Sequence, residues 1–443
     1  MRVNGYDCGA TTTPHRRAGT HNGPGRRQTG VTLDRIHVDT IARLASAIAT
    51  GVDDEDNADV TRRVWDEFLD PLRADGRTVL EPLDGQTLHA VPTGDAVLFD
   101  RPFETTHGVD SGTMNPTAFK NGLVLDVAQA AMAADPSNLD LHRDRTVLVT
   151  VHTTDATFTP DTGDGWHRYD EGHGERRVLQ VPRSRRFADE TVHELALSLA
   201  ESRHARAHAD AVEDLLVLDG PLYPKRLLNW GTRDSQRREL AHREEVREAV
   251  RNYVRLVEEL VDRDIPIAGF VKNPTSGYVT RTLSRSGVET PWPDDTALFG
   301  QLLERRENGQ RLTDQLTFTS WFRSTGGSDE PMSAVGDALG VERRLDPTAY
   351  EVTFAMLYDP RTDVVFKIEA PYAVTRDPET RERLTTQLVA EVADREGPPV
   401  AVGKADDLAG IGRSERASLR QRFEAEFDTE YRHTYDDVRW TEG

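Results

Sequence analysis

Cysteine is all but missing from this chain: Cys8 stands alone in a leader rich in Gly, Thr and Arg. No internal disulfide can form, and thiol redox chemistry and thiolate zinc sites are excluded with it. Lysine is nearly as scarce, with Lys120, Lys225, Lys272, Lys367 and Lys404 the only five among 55 basic residues. No stretch approaches the roughly 18 apolar residues of a membrane span. The first thirty residues hold no apolar segment of a secretory kind, so a cytoplasmic protein is expected, without membrane attachment. A phosphate-cradling Gly-x-x-x-x-Gly-Lys-Ser/Thr loop is also missing, and any ATP-driven step would have to come from a partner.

What remains is a 443-residue chain with 37% apolar residues, enough for one large core or two ordinary ones. Its formal charge is -21, and its surface is read as acidic, lysine-poor and suited to a cytoplasm rich in salt. Such a charge bears on solubility and association rather than on fold. It would ordinarily disfavour a nucleic-acid ligand. At about 1 M salt, however, the screening length is only about 3 Å, so local arginines and a bound cation can still hold a phosphate backbone.

Residues 1–30 show no apolar period and are expected to be a disordered leader. Over residues 31–75 the spacing of Ile36, Ile41, Leu44, Ile48, Val60, Val64, Phe68 and Leu72 predicts two amphipathic helices. The acidic run Asp53-Asp54-Glu55-Asp56 is expected to be a solvated loop between them. Short β-like pieces follow at 78–80, 87–91, 96–99 and 123–125, with a fuller strand at 146–151 and a Gly/Asp/His-rich loop over 157–174. Helical patterning at 188–211 leads into the apolar run Leu215-Leu216-Val217-Leu218-Asp219, and a second helix at 236–263 leads into Ile267-Ala268-Gly269-Phe270-Val271-Lys272. Strands at 316–322, 352–357 and 364–368 precede a helix at 377–393, with Asp377 as N-cap and Pro378 in its first turn, and a short helix after Ser414. Strands, helix, strand, helix, strand in that order predict an α/β fold with a mixed sheet.

Two aspartates stand out: Asp110 in Gly108-Val109-Asp110-Ser111-Gly112, and Asp219 in Leu218-Asp219-Gly220-Pro221. Both are expected at strand ends, where two carboxylates can share a metal. Divalent ions that serve phosphoryl transfer take hard oxygen ligands from separate elements, so a third carboxylate is needed. Glu194 and Glu201, seven residues apart on one helix face, are both candidates. Ser111, Gly112 and Gly220 are small enough for a phosphate to approach. Lys272 offers a point charge for phosphate, and Arg281 could share that task. His107 and His152 lie near strands and are read chiefly as structural.

At these residues the chain resembles the NurA nuclease family, over roughly residues 103–420. The likeness is carried by Val109-Asp110-Ser111-Gly112 with the hairpin strand Asn121-Gly122-Leu123-Val124, by Glu201, by Leu218-Asp219-Gly220-Pro221-Leu222, by the lysine-ended strand at Lys272, and by Val365-Phe366-Lys367-Ile368-Glu369-Ala370-Pro371. The Asp-Gly-Pro-Leu stretch is the most specific of these. The resemblance implies an RNase H-like mixed sheet flanked by helices, with added N-terminal helices and a C-terminal α/β extension. It implies a nuclease domain over 76–425, with a core at about 103–280, a C-terminal part at 310–425 and a tail at 426–443.

In the resemblance, Asp110, Glu201 and Asp219 hold Mn²⁺ or Mg²⁺, with Glu194 as the alternative to Glu201, and Lys272 positions the scissile phosphate. Family members carry a Gly-Tyr-Pro segment and an Ala-His pair near the C-terminus. Here the matching stretches are Gly397-Pro398-Pro399 and Ala405-Asp406, so Asp406 becomes the possible fourth ligand. The implied activity is DNA hydrolysis, as a 5′-to-3′ exonuclease and a single-strand endonuclease, in end resection for double-strand break repair. The implied assembly is a homodimer docked on a HerA-type hexameric ATPase. Two other classes stay open: a catalytically weakened adaptor or DNA-end clamp for such a helicase, and an RNase H-like enzyme acting on RNA or a hybrid.

Overall fold

The computed structural model describes residues 35–49, 54–155, 157–158, 165–170, 172–181, 188–232 and 235–433. The expected leader and residues 434–443 of the expected tail lie outside them. The chain divides after Glu55 into two units. The first contains the helix Arg35–Ala49, on which Val38, Ile41 and Leu44 are exposed. Among the described residues no helix is long and apolar enough to cross a membrane.

The second unit is built on one mixed sheet. Strands β1 (Thr106–Thr113), β2 (Val124–Asp135) and β3 (Thr146–His152) form an antiparallel meander. Beyond β3 lies β4 (Glu175–Gln180), parallel to it. Helix α1 (Ala188–Ala207) then carries the chain back to β5 (Leu215–Asp219), which pairs parallel with β1. Helix α2 (Glu244–Asp262) leads in the same way to β6 (Ile267–Val271), parallel to β5. The order β3-β2-β1-β5-β6 is that of the RNase H-like core expected from the resemblance. Strand β7 (Val352–Asp359) and β8 (Val364–Pro371) extend it, with β8 antiparallel to β6 and β7 next to β8, followed by 322–324, 77–82 and 72–74.

The sequence accounts for this arrangement. Leu215, Leu216, Val217 and Leu218 are wholly buried, as suits a central parallel strand covered on both faces. Parallel neighbours need long crossovers, which α1 and α2 provide. Ser111 of β1 faces α1, whereas Gly108 and Gly112 face helix α4 (Val400–Ala409), so the two layers lie on opposite sides of the sheet. Helix α3 (Pro378–Arg395) begins as expected, with the Asp377 carboxylate accepting the Thr380 amide and Pro378 in the first turn.

Several local expectations need correction. Residues 54–56 of the acidic run are helical rather than loop, the start of the helix Asp54–Phe68, and an acidic sequence suits a helix N-terminus. Residues 96–99 are not a strand, since Thr93–Val97 is a short helix entered from Pro92 with Asp95 in its first turn. The helix expected at 236–263 is two helices, Ser235–Ala241 and Glu244–Asp262, separated at Arg243, whose extended backbone opens the second. The stretch 316–322 is likewise two strands, Gln315–Thr319 and Phe322–Ser324, both paired with β7.

Candidate metal centre

Strands β5 and β1 run parallel with Leu218 opposite Val109 as their last paired residues. The next residue of each, Asp219 and Asp110, therefore emerges beside the other. Asp219 ends its strand, as expected. Asp110 does not: β1 continues to Thr113, because β2 stays paired with it from Asp110↔Ala131 to Thr113↔Ala128 after β5 has stopped.

Behind Asp219 the chain makes a sharp departure. Gly220 adopts φ +139°, a conformation that favours glycine, and nothing lies within 4 Å of the Cβ it lacks. Its amide donates to the Phe270 carbonyl at 3.1 Å. On β6, a Cβ at Gly269 would lie 2.5 Å from the Leu222 amide nitrogen, so only glycine lets the 220–222 segment cross there.

Helix α4 brings the third carboxylate. A Cβ on Gly108 would sit 2.3 Å from the Ala401 carbonyl carbon, and one on Gly112 would sit 2.5 Å from the Ala409 oxygen. The two glycines that flank Asp110 thus let the α4 backbone press onto β1, and Gly112 is a packing device rather than an opening for phosphate. Asp406, on that helix, is turned toward Asp110 and Asp219. One carboxylate oxygen from each of Asp110, Asp219 and Asp406 lies within 4.8 Å of the others, the one such group among the described residues. Lys272, just past β6, closes the cluster: its ammonium is 2.6 Å from Asp219 Oδ2 and 2.9 Å from Asp406 Oδ2.

Glu201 and Glu194 part company. Glu201 Oε2 accepts from the Ser111 hydroxyl at 3.2 Å, and its Oε1 accepts from the Tyr253 hydroxyl at 2.7 Å, which places it at the back of Asp110. Glu194, two helical turns away, accepts from the Trp230 indole at 2.5 Å and does not join the group. Tyr253, on the buried face of α2, is a part of the site that was not among the candidates from the sequence. The signal was a hydroxyl on the buried stripe of an amphipathic helix, which must find a partner. His107 lies three residues before Asp110 on β1, hence on the other face, and burial holds its pKa down. His152 closes β3 and is buried. Arg281 is exposed on the helix Tyr278–Arg285.

The electrostatics show a concentration of negative charge without enough countercharge. Burial, then the neighbouring Asp219 charge, pushes Asp110 up to about 7. Burial, then Asp110, pushes Glu201 up to about 8. Asp219 is raised by burial too, against the pull of Lys272. Burial works against the charge on Lys272, yet its hydrogen bonds to Asp219 and Asp406 outweigh this and raise its pKa. Four carboxyls and one ammonium leave a deficit that protons or a divalent cation must fill. An all-oxygen donor set suits a hard ion such as Mg²⁺ or Mn²⁺ and fits poorly with soft metals.

Comparison with known proteins adds to this geometry. Residues 104–411 match the family described as the NurA domain, a span that includes Asp110, Glu201, Asp219, Lys272 and Asp406. Among solved structures, the chain is similar to the crystal structure of the NurA nuclease from Sulfolobus solfataricus. Their identity is 10% and their TM-score 0.50, over 89% of this chain and 98% of that one. It is also similar to a crystal structure of NurA bound to dAMP and manganese, at 10% identity and TM-score 0.45, over 90% of this chain and 99% of that one. No curated protein matches the chain.

Proposed function

The chain belongs to the NurA family, and from that premise we propose that it is a metal-dependent deoxyribonuclease whose centre is the Asp110, Glu201, Asp219 and Asp406 group. The observation that carries this reading is the meeting of three carboxylate oxygens from β1, β5 and α4 within 4.8 Å, backed by Glu201 from α1. Asp110, Asp219 and Glu201 would hold Mn²⁺ or Mg²⁺, with Asp406 as a further ligand. When bound, the ion supplies Lewis acidity to the phosphate and to the attacking water.

The remaining work falls to the chain's own residues. Tyr253 and Ser111 fix the Glu201 carboxylate by donating to both its oxygens, which holds it ready as a ligand or proton acceptor. Lys272 bridges Asp219 and Asp406, and a phosphodiester entering there would meet its ammonium. The open space over Gly220 gives a phosphate room beside Asp219.

The substrate is DNA, cut from 5′ ends and also within single strands, in end resection during double-strand break repair. The partners proposed from the family are a second copy of the chain and a HerA-type hexameric ATPase. That assignment is consistent with a sequence lacking its own P-loop. The nuclease domain is proposed to run over residues 76–425, in a cytoplasmic, salt-adapted protein.

The test uses 5′- and 3′-labelled single-stranded and duplex DNA, with RNA alongside, at high salt, with Mn²⁺ or with EDTA. Loss of DNA 5′ ends only with the metal supports the reading. DNA binding without cleavage under any metal would replace it with the adaptor, and cleavage of RNA alone would replace it with a ribonuclease.

A further inference from the structure

The turn that follows Asp219 has few backbone groups with which to hold itself. Of Gly220, Pro221 and Leu222, the proline has no amide hydrogen, so only two N–H groups can anchor the segment. The first is the Gly220 amide, which donates to the Phe270 carbonyl of β6. The second is the buried Leu222 amide, which donates to Glu369 Oε2 at 3.2 Å. Without that carboxylate, a buried N–H would be left unpaired.

Glu369 stands on β8 directly opposite Gly269 of β6, and opposed residues share a face of the sheet. It therefore lies on the side where the 220–222 segment crosses Gly269. Lys367, two residues earlier on β8, points to the same face. Its ammonium is 2.7 Å from Glu369 Oε1, and the Lys225 ammonium is 2.6 Å from the same oxygen. Lys225 opens the short helix Lys225–Leu228 just after the turn, and its ammonium also lies 2.6 Å from Asp329. Glu369 thus holds the segment leaving Asp219 at two points, the Leu222 amide and the Lys225 side chain.

The Glu369 side chain is buried. Burial works against its charge, yet Lys225 and Lys367 outweigh this and hold its pKa down. The Leu222 amide therefore meets an ionised acceptor, which makes a stronger hydrogen bond than a neutral one. Both oxygens are engaged within the chain, so Glu369 is not a ligand in waiting for the ion. Gly220, at φ +139°, leaves the turn pliable, and its fixed point has to come from outside.

Building on the nuclease reading, we infer that Glu369 is a positioning residue of the metal centre: with Lys225 and Lys367 it clamps the turn behind Asp219, and so fixes where that carboxylate meets Asp110 and Asp406. It touches neither the ion nor the substrate. Its effect reaches the centre through the backbone of 220–222 and through Asp219 alone.

The experiment uses the full-length protein and the variant Glu369→Asp. This keeps the charge that the two lysines need but shortens the side chain by one methylene, so the lysine pairs and the Leu222 bond cannot all be kept. Glu369→Gln, which leaves two ammonium groups against a neutral amide, is the harsher variant; if circular dichroism shows it unfolded, Glu369→Asp decides alone. The control is Asp359→Asn, which breaks a buried pair with Arg361 five residues along β7 from Phe354, the residue opposite Glu369. Three readouts are taken: Mn²⁺ affinity by calorimetry, hydrogen exchange over residues 219–224 in EDTA by mass spectrometry, and kcat and KM on a labelled single-stranded oligonucleotide.

In Glu369→Asp, Mn²⁺ binding is expected to weaken about tenfold and kcat to fall by a similar factor, with KM within about twofold. Exchange should quicken over 219–224 and stay as in wild type over β2, and the control should change none of these. Added to Asp219→Asn, Glu369→Asp should cost no further Mn²⁺ affinity, because its effect runs through that carboxylate. Wild-type affinity and exchange in Glu369→Asp would overturn the proposal. So would an equal loss in the control, or a loss in the Asp219→Asn background as large as in wild type. If the wild type binds no Mn²⁺, the nuclease reading falls, while exchange over 219–224 still decides whether Glu369 holds the turn.

Discussion

At the scale of single residues, the centre is a set of acids with too little countercharge. Asp110 at about 7 and Glu201 at about 8 stand well above their ordinary values of 3.8 and 4.5. A carboxyl raised in the fold keeps a proton that the unfolded chain has already released, so the native state binds more protons between those values. Stability then falls as pH rises through that window. In EDTA the melting temperature is accordingly expected to drop between about pH 5 and pH 8, and Mn²⁺ should remove the drop by replacing the protons. A melting series at several pH values, with and without the ion, checks this; a flat profile in EDTA would contradict it. Tyr253→Phe deletes one hydrogen bond to Glu201 and nothing else in the cluster. Mn²⁺ affinity measured by calorimetry should fall roughly 10-fold to 100-fold. Much of this residue-level picture was legible in the sequence: Asp110, Asp219 and Lys272 each announced themselves by position beside an apolar run. The choice between Glu194 and Glu201 was not, because two turns of one helix face look alike until Trp230 and Tyr253 declare their partners.

At the scale of elements, the site depends on how closely α4 lies on β1. That contact is made through glycine, and sequence patterning treats glycine as a turn signal, so Gly108 and Gly112 read as punctuation around Asp110 instead of as a seat for a helix. The same ambiguity placed Asp110 at a strand end. The length of β1 is set by its pairing with β2, a non-local fact that no local pattern carries. The α/β order and the β5 and β6 strands were readable because long apolar runs flanked by amphipathic helices have few other uses. Gly108→Val should drive a side chain into the Ala401 backbone, displace α4 and move Asp406 away from its partners. Urea unfolding is expected to show a loss of about 1–3 kcal/mol, with Mn²⁺ affinity reduced in parallel. An unchanged midpoint and affinity would mean that α4 does not rest on this glycine.

At the scale of the whole molecule, a charge of -21 on 443 residues must be screened for the compact state to hold. Raising KCl from about 0.2 M to about 2 M shortens the screening length from about 7 Å to about 2 Å and should raise the melting temperature by several degrees. A melting temperature that does not move with KCl would contradict the reading of the surface as salt-adapted. The same charge makes the arrangement around Asp219 informative, because three of the five lysines gather there: Lys272 at the carboxylate cluster, and Lys225 and Lys367 at Glu369 of β8.

The measurement that tests the account most directly is the rate of Mn²⁺-dependent DNA cleavage by Asp219→Asn beside the wild type, both shown to be folded by circular dichroism. The substitution keeps the shape of the side chain and removes the charge that pairs with Lys272 and that the proposed metal would take. The account predicts cleavage by the wild type and a fall on the order of a thousand-fold in the variant. Equal rates in the two proteins would contradict it.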